Sequence, residues 1–167
     1  MFYFSMISSI MDYDHALDEI SRYTKGPKGK DSAGVLQFVC DYLRKIDERY
    51  SWVGFYVVSG DNLILKNFSG DETEHKKIKI GDGLCSLAVL RNEIVNEKDV
   101  KSNKTYLACF PSTNSEIVVP VRMHGEPIGE IDVDSDTKNA FGMKDESFLS
   151  KIADKLSEHV KNVASNS

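Results

Sequence analysis

The sequence predicts an α+β protein in which a central antiparallel sheet carries N- and C-terminal helices packed on one face. Several short segments rich in β-branched and aromatic residues follow one another with short turns, a pattern typical of antiparallel strands. Amphipathic helical patterns stand before and after these segments. A length of 167 residues suits one domain, which we place at residues 12–167, behind an N-terminal extension at residues 1–11.

Composition and charge exclude several classes of function. The formal net charge of −5 disfavours nucleic acid and anionic membranes as partners, since both attract basic surfaces. No apolar run is long enough to span a bilayer, and the apolar N-terminus lacks the positive leader of a secretory signal. The three cysteines are odd in number and widely spaced, which disfavours a disulfide framework, and no Cys-x-x-Cys pair indicates a zinc site. We therefore expect a cytoplasmic protein.

Two helices are predicted before the first strand. Residues 12–23 place apolar side chains on one side, and a loop rich in glycine, proline and lysine follows. Asp31 or Ser32 can cap a second helix that runs to about Arg49. Cys40 falls within the apolar stripe of this helix. We therefore interpret Cys40 as a buried structural residue and exclude it from the chemistry.

Two strands follow, at residues 51–58 and 63–68, with a turn between them. Trp52 and Tyr56 lie four positions apart on the first strand, so their side chains project from the same face. Aromatic residues in strands are usually core, but this pair also has the spacing to wall a pocket. The sequence leaves both interpretations open.

Cys85 lies just after a glycine-rich turn. Residues 77–80 alternate like a half-exposed strand and lead into Gly81 and Gly83, which permit a tight turn before a short helix. Cys85 would then occupy the first helical turn, where the helix dipole favours a thiolate. A thiol buried among apolar neighbours is an equally good interpretation.

Cys109 lies in a long polar segment, residues 97–115, which follows a short strand at residues 93–96. Long loops inside a compact domain are usually functional or disordered. A cysteine on such a loop is the least core-like of the three. An amphipathic helix at residues 143–163 follows the last strand.

A hairpin after this loop carries three acidic residues, Glu116, Asp132 and Asp134. Asp132 and Asp134 share one face, because side chains alternate along a strand. Grouped acids have three interpretations: a solvated sheet face, a site for calcium or magnesium, or recognition of a cationic ligand. No loop-type metal signature accompanies them, and we predict no bound metal.

The turn of this hairpin decides whether Glu116 joins the same face. We predict a three-residue loop at residues 123–125, because the third position of such loops favours glycine. This register sets Glu116 opposite Asp132. It also sets Arg122 opposite Glu126, whose charge is opposite. A two-residue turn without a compensating bulge would instead put Glu116 on the other face.

Several segments resemble one known family. A strand of that family matches Trp52-Val-Gly-Phe-Tyr56, and the other matches are Gly81-Asp-Gly-Leu-Cys85, Leu107-Ala-Cys109, Asn114-Ser-Glu-Ile-Val-Val-Pro120 and Gly129-Glu-Ile-Asp-Val-Asp134. With these motifs in order, the chain resembles the free methionine-R-sulfoxide reductases, which are single-domain GAF proteins. The resemblance runs from about Ser51 to the final helix. It implies a GAF-like sheet and reduction of the R-epimer of free methionine sulfoxide to methionine.

The resemblance implies roles for two thiols. Cys109 matches the residue that attacks the sulfoxide sulfur, which leaves a sulfenic acid and methionine. Many family members carry a further cysteine where this chain has His75, and its absence leaves Cys85 as the resolving thiol. We expect His75 to be an exposed loop residue. No bound cofactor is expected, since thioredoxin or another dithiol would reduce the disulfide between Cys85 and Cys109.

The resemblance also implies the substrate-binding residues. Glu116, Asp132 and Asp134 match the carboxylates that hold the ammonium and sulfoxide ends of the substrate. Trp52 and Tyr56 match the pocket wall around its methyl group. The alternative function is a non-catalytic GAF module that senses or binds a small ligand. Whether the protein forms a homodimer stays open.

Overall fold

The computed structural model describes residues 11–104, 106 and 110–166, and its elements follow the predicted order. These residues form four α-helices: α1 (Tyr13–Lys25), α2 (Ser32–Ile46), α3 (Gly83–Arg91) and α4 (Met143–Ser165). They also form six strands: β1 (Trp52–Ser59), β2 (Asn62–Ser69), β3 (Lys77–Lys79), β4 (Val95–Glu97), β5 (Ser115–Met123) and β6 (Glu126–Ser135). Short 3₁₀ turns stand at Pro27–Lys30 and Val100–Ser102.

All six strands join in one antiparallel sheet with the order β3-β2-β1-β6-β5-β4. The predicted α+β class and antiparallel sheet are therefore confirmed. The division into an extension at residues 1–11 and a domain at residues 12–167 stays a prediction, because residues 1–10 lie outside the described part. Within the described residues, no helix is both long enough and apolar enough to cross a membrane.

One face of the sheet carries α2 and α4, and α1 packs on these two helices. β1 contributes the alternate residues Val53, Phe55 and Val57 to this core, and each is at most 1% exposed. The apolar stripes of α2 and α4 pack against the sheet, and α1 adds Ala16 and Ile20 to the same core. Because neighbouring residues of a strand point in opposite directions, Trp52 and Tyr56 face the other side of the sheet. The large core and the candidate site therefore lie on different faces.

Cys40 lies on the stripe of α2 that faces the sheet and is fully buried, so its predicted burial is confirmed. Burial raises the pKa of its thiol well above the ordinary value, and the nearby charge of Asp41 adds to this effect. A thiol in such a place stays protonated and unreactive. We therefore assign Cys40 to the core.

We expect Cys40→Ser to lower stability and leave activity per folded molecule unchanged. A hydroxyl buried among apolar side chains costs about 1–3 kcal/mol in the free energy of unfolding. The midpoint of urea unfolding measures this loss, and Cys40→Ala is the matched control, because it removes the thiol without burying a polar group. Lost activity in the folded serine variant would overturn the assignment of Cys40 to the core.

The β5–β6 hairpin closes through a two-residue turn, so the predicted three-residue loop is wrong. His124 and Gly125 have φ angles of 53° and 82°, the left-handed pair that a type I′ turn needs. The three-residue loop predicted from the sequence required a left-handed backbone only at Gly125. Histidine is among the non-glycine residues that enter this region more readily, and this allows the shorter turn.

A bulge in β6 returns Glu116 to the predicted face. The register shifts just after Val121, so Ile128 has no residue opposite it. Beyond this bulge Glu116 stands opposite Asp134, not opposite Asp132 as predicted. The shared face of the three acids is confirmed, although the pairing within it differs.

Arg122 does not stand opposite Glu126, contrary to the prediction, and bonds to the end of α3 instead. Its Nε donates to Asn92 Oδ1 at 2.5 Å and its Nη2 to the Asn92 carbonyl oxygen at 2.8 Å. The Asn92 side-chain amide in turn donates to the Gly125 carbonyl oxygen at 2.9 Å. The hairpin tip is thus attached to the helix that carries Cys85.

Candidate active site

Cys85 occupies the first turn of α3, as predicted, and is only 5% exposed. Gly81 and Gly83 before it have φ angles of 113° and 72°, a region that favours glycine. Ser86 fixes this turn, since its Oγ accepts a hydrogen bond from the Gly81 N–H at 2.9 Å. The turn directs Cys85 toward the sheet face that carries Trp52.

The Cys85 thiol meets two acids that come from different strands. Its Sγ donates to Glu116 Oε1 at 3.4 Å and to Asp132 Oδ2 at 3.2 Å. Glu116 is 4% exposed and Asp132 is 1% exposed, so the whole contact is buried. Cys85 is therefore a buried thiol held by carboxyl groups. Its environment therefore matches neither of the two interpretations of the sequence, a thiolate at a helix end and a thiol buried among apolar neighbours.

Burial perturbs the acids of this cluster. It raises the pKa of Glu116 well above its ordinary value, and the charges of Asp132 and Asp134 raise it further. Burial also raises the pKa of Asp132 to about 6, although hydrogen bonds from Cys85 and Glu116 oppose the rise. The hydrogen bond between Glu116 and Asp132 raises the pKa of Glu116 and lowers that of Asp132, so a proton shared by this pair rests on Glu116.

Asp134 completes the cluster opposite Glu116 and is 2% exposed. Burial raises its pKa, and the charges of Asp132 and Asp136 add to the increase. Within the described residues, no lysine or arginine forms an ion pair with these buried acids. A cationic ligand would relieve both their desolvation and their mutual repulsion.

Trp52 closes one side of the same face and is 3% exposed. Its ring stacks on Phe68 with centroids 5.8 Å apart, and the Phe110 ring lies 6.1 Å away. The indole Nε1 donates to the Asp71 carbonyl oxygen at 3.1 Å, which fixes the ring. Glycine at position 54 is required beside it, since a Cβ there would collide with the indole.

Tyr56 lies beside Trp52, with ring centroids 6.5 Å apart, and is fully buried. Its hydroxyl donates to the His75 carbonyl oxygen at 2.9 Å. Both aromatic residues share one apolar cluster with Cys85, so they are core residues and neighbours of the thiol at once. His75, expected to be exposed, is half-buried, because this hydrogen bond draws its backbone against the sheet.

The thiol and the carboxyl groups of this cluster are also groups that can bind a metal ion. Ligand atoms of Cys85, Glu116 and Asp132 all lie within 4.8 Å of one another. The two hydrogen bonds from the thiol account for this spacing without an ion. The absence of a bound metal stays a prediction.

Glu130 also belongs to this face, although it is not among the site residues predicted from the sequence. It alternates with Asp132 and Asp134 on β6 and is 0% exposed. Burial, and then the charge of Asp132, raises the pKa of Glu130 well above its ordinary value. The alternation of residues 130, 132 and 134 was the signal that could have found it.

Cys109 and its motif, residues 107–109, lie outside the described residues, so the predicted meeting of the two thiols stays a prediction. The neighbouring Phe110 contacts Trp52, as described above. A polar cavity of about 410 Å³ borders Trp52 and Phe110. Among the described residues, neither Cys85 nor any of the cluster acids lines this cavity.

Comparison with known proteins places this fold and site in a family. Residues 29–160 match the GAF domain family. The chain is 35% identical over 106 residues to the free methionine-R-sulfoxide reductase of Escherichia coli, which covers 64% of each chain. It thus spans slightly less than two thirds of the length of this curated relative.

Two solved structures are similar over most of their length. The type II free methionine-R-sulfoxide reductase of Thermoplasma acidophilum is 57% identical, with a TM-score of 0.78 over 80% of this chain and 94% of that one. The free methionine-R-sulfoxide reductase of Neisseria meningitidis, in complex with its substrate, is 28% identical, with a TM-score of 0.82 over 93% and 92%. The chain therefore belongs to the GAF domain family and, within it, groups with the free methionine-R-sulfoxide reductases.

Proposed function

We propose that this protein reduces free methionine-R-sulfoxide to methionine, using its own thiols and a dithiol reductant. The observation that carries the proposal is the buried contact of Cys85 with Glu116 and Asp132, beside Asp134. Such a cluster supplies a thiol, a held proton and a negative site for an ammonium group. The similarity to reductases with that substrate in their names supports the same assignment.

In the proposed first step, the Cys109 thiolate attacks the sulfoxide sulfur while Glu116 protonates the sulfoxide oxygen. The S–O bond of the substrate breaks and an S–O bond forms on Cys109, which gives a sulfenic acid and methionine. The substrate sulfur is reduced and the cysteine sulfur is oxidised. Cys109 has this role by its match to the family motif, and Glu116 by its raised pKa.

Asp132 and Asp134 would bind the substrate ammonium. An opposite charge beside these buried acids lowers their pKa again, so binding and ionisation support each other. A methionine sulfoxide within a polypeptide has an amide in place of the ammonium and would leave both acids unpaired. Selectivity for the free amino acid follows. Trp52 and Tyr56 would contact the methyl group from the side.

In the proposed second step, the Cys85 thiol condenses with the sulfenic acid, which forms a disulfide and releases water. Thioredoxin or another dithiol then reduces this disulfide and restores both thiols. Cys85 suits the resolving role because its thiol contacts Glu116 and Asp132, the acids that would hold the substrate for attack by Cys109. We propose a cytoplasmic location, where such reductants act.

A coupled assay tests the proposed function. The protein is incubated with thioredoxin, thioredoxin reductase and NADPH, and free methionine-R-sulfoxide is added. We expect NADPH consumption with the R-epimer and none with the S-epimer or with N-acetylmethionine-R-sulfoxide. Folded, reduced protein that consumes no NADPH but binds the amino acid would favour the alternative, a GAF module that binds a small ligand.

We expect chelation to leave the activity unchanged, because the proposed steps need only side chains of this protein and an external dithiol. Protein dialysed against EDTA is compared with protein given a small excess of zinc chloride. Equal rates before and after dialysis support a metal-free reaction. Loss of activity that zinc restores would contradict it and would assign a metal to Cys85, Glu116 and Asp132.

A further inference from the structure

Cys85, Glu116 and Asp132 place a sulfur and two oxygen atoms around one point between α3, β5 and β6. Cys85 Sγ lies 3.4 Å from Glu116 Oε1 and 3.2 Å from Asp132 Oδ2, and ligand atoms of all three residues lie within 4.8 Å of one another. In a tetrahedral zinc site, with bonds of about 2.3 Å to sulfur and about 2.0 Å to oxygen, sulfur and oxygen ligands stand about 3.5 Å apart. An ion in place of the thiol proton therefore needs only a small outward movement of these side chains.

One oxygen of this cluster is buried without a partner. Asp132 is 1% exposed and its Oδ2 accepts from the thiol, but its Oδ1 has no hydrogen-bond partner. A buried polar atom in this state destabilises the folded protein. Within the described residues, no lysine or arginine forms an ion pair with Asp132 or Glu116. A cation bound to the Asp132 carboxylate would stabilise both oxygens, since they share one negative charge.

The mixed ligand set selects the kind of ion. Magnesium and calcium are bound by oxygen ligands, in sites with more ligands than this one offers. Zinc accepts thiolate sulfur and carboxylate oxygen together, and three protein ligands leave its fourth position to water. We propose that the reduced protein binds zinc at Cys85, Glu116 and Asp132, and that this ion inhibits the reductase and is not a cofactor. The inhibition rests on the proposed function.

Zinc binding at this site is an exchange of ions without a redox step. The ion forms bonds to Cys85 Sγ and to an oxygen of each acid, while the protons of the thiol and of Glu116 pass to water. The thiolate and the two carboxylates then surround the ion with negative charge. Because methionine sulfoxide has to reach these acids in the proposed reaction, the smaller metal ion has the same route.

The bound ion would block each proposed use of these residues. Cys85 could not condense with the sulfenic acid, Glu116 would have no proton for the sulfoxide oxygen, and Asp132 could not bind the ammonium group. Zinc and substrate therefore exclude each other. The metal-free protein is the active form, so removal of metal should not lower the rate.

Metal binding is measured first, without substrate. The whole protein is reduced, freed of reductant by gel filtration, and titrated with zinc against a chromogenic chelator. Cobalt(II) replaces zinc in a parallel titration, because a bond from thiolate sulfur to cobalt gives a charge-transfer band in the near ultraviolet. We expect either metal to bind in a one-to-one ratio to the chain, the cobalt complex to show this band, and excess magnesium not to compete.

Two ligand variants and two controls locate the ion. Cys85→Ser and Asp132→Asn should each weaken zinc binding at least about 100-fold, since loss of a direct ligand exceeds the effect of an outer-shell change. Cys85→Ser should also lose the cobalt band. Cys40→Ser removes a buried thiol on the opposite face, and Glu126→Gln removes an exposed carboxylate of β6. Both controls should bind zinc as the wild type does.

Inhibition is measured as methionine formed in a single turnover without reductant, because dithiols bind zinc themselves. With substrate well below half-saturation and zinc at about ten times its dissociation constant, we expect the first turnover to slow about tenfold. Excess substrate or EDTA should restore the rate.

Wild-type zinc affinity in Cys85→Ser, or a cobalt complex without the thiolate band, would overturn the site. The cobalt spectrum of the wild-type protein decides this even where a variant does not fold. Zinc that binds at the site without slowing the first turnover would overturn the inhibition. A protein that binds zinc through Cys85 but never forms methionine would instead refute the proposed function and support the metal site.

Discussion

Cys85→Ser should reduce about one equivalent of free methionine-R-sulfoxide per protein molecule and then stop when thioredoxin is the reductant. The attacking thiol is still present, so the first step proceeds and leaves a sulfenic acid. No second thiol condenses with it, and thioredoxin then meets no disulfide to reduce. Serine keeps a hydroxyl that can donate to Glu116 and Asp132, so the acid cluster is little disturbed.

Methionine released per protein molecule, followed over time by chromatography, measures this outcome, and dimedone labelling reports the trapped sulfenic acid. Cys40→Ser is the matched control, because it also removes one buried thiol but lies on the other face of the sheet. It should turn over many times. Repeated turnover by Cys85→Ser with thioredoxin would refute the resolving role of Cys85. Complete loss of the first turnover would show that Cys85 is the attacking thiol.

Glu116→Gln should lower kcat by about 10²–10⁴-fold, the usual contribution of a positioned acid. Glutamine retains a hydrogen bond to Asp132 but cannot give a proton to the sulfoxide oxygen. KM should change much less, since Asp132 and Asp134 still bind the ammonium. Steady-state rates over a range of substrate concentrations separate the two constants. Glu126→Gln, at the exposed hairpin tip of the next strand, is the matched control and should behave as wild type.

The pH dependence of the wild-type protein follows from the same group. Glu116 acts in its protonated form, so kcat should be present below its raised pKa and should decline as the pH rises through that value. In Glu116→Gln the residual rate should lose this decline. A glutamine variant with nearly wild-type kcat, or with an unchanged alkaline limb, would assign the proton to another acid of the cluster.

Local patterns in the chain were enough to predict the order of helices and strands and the side of the sheet on which many residues lie. Alternation put Asp132 and Asp134 on one face, and helical spacing placed Cys40 in the core. These predictions hold because they depend on periods of two and 3.6 residues, which backbone geometry alone sets. The resemblance then supplied a family and a substrate, but the motifs themselves carry no distances.

Tertiary structure decided the features on which the chemistry depends. The hairpin register depends on the left-handed backbone of His124 and on the bulge at Ile128. The two-residue and three-residue loops differ little in local energy, so the sequence did not decide between them. The sequence alone could not predict that Cys85 contacts Glu116 and Asp132, because these contacts join residues that are 31 and 47 positions apart in the chain. The burial of four acids on one face likewise results from packing α3 over the sheet, and this packing sets their protonation.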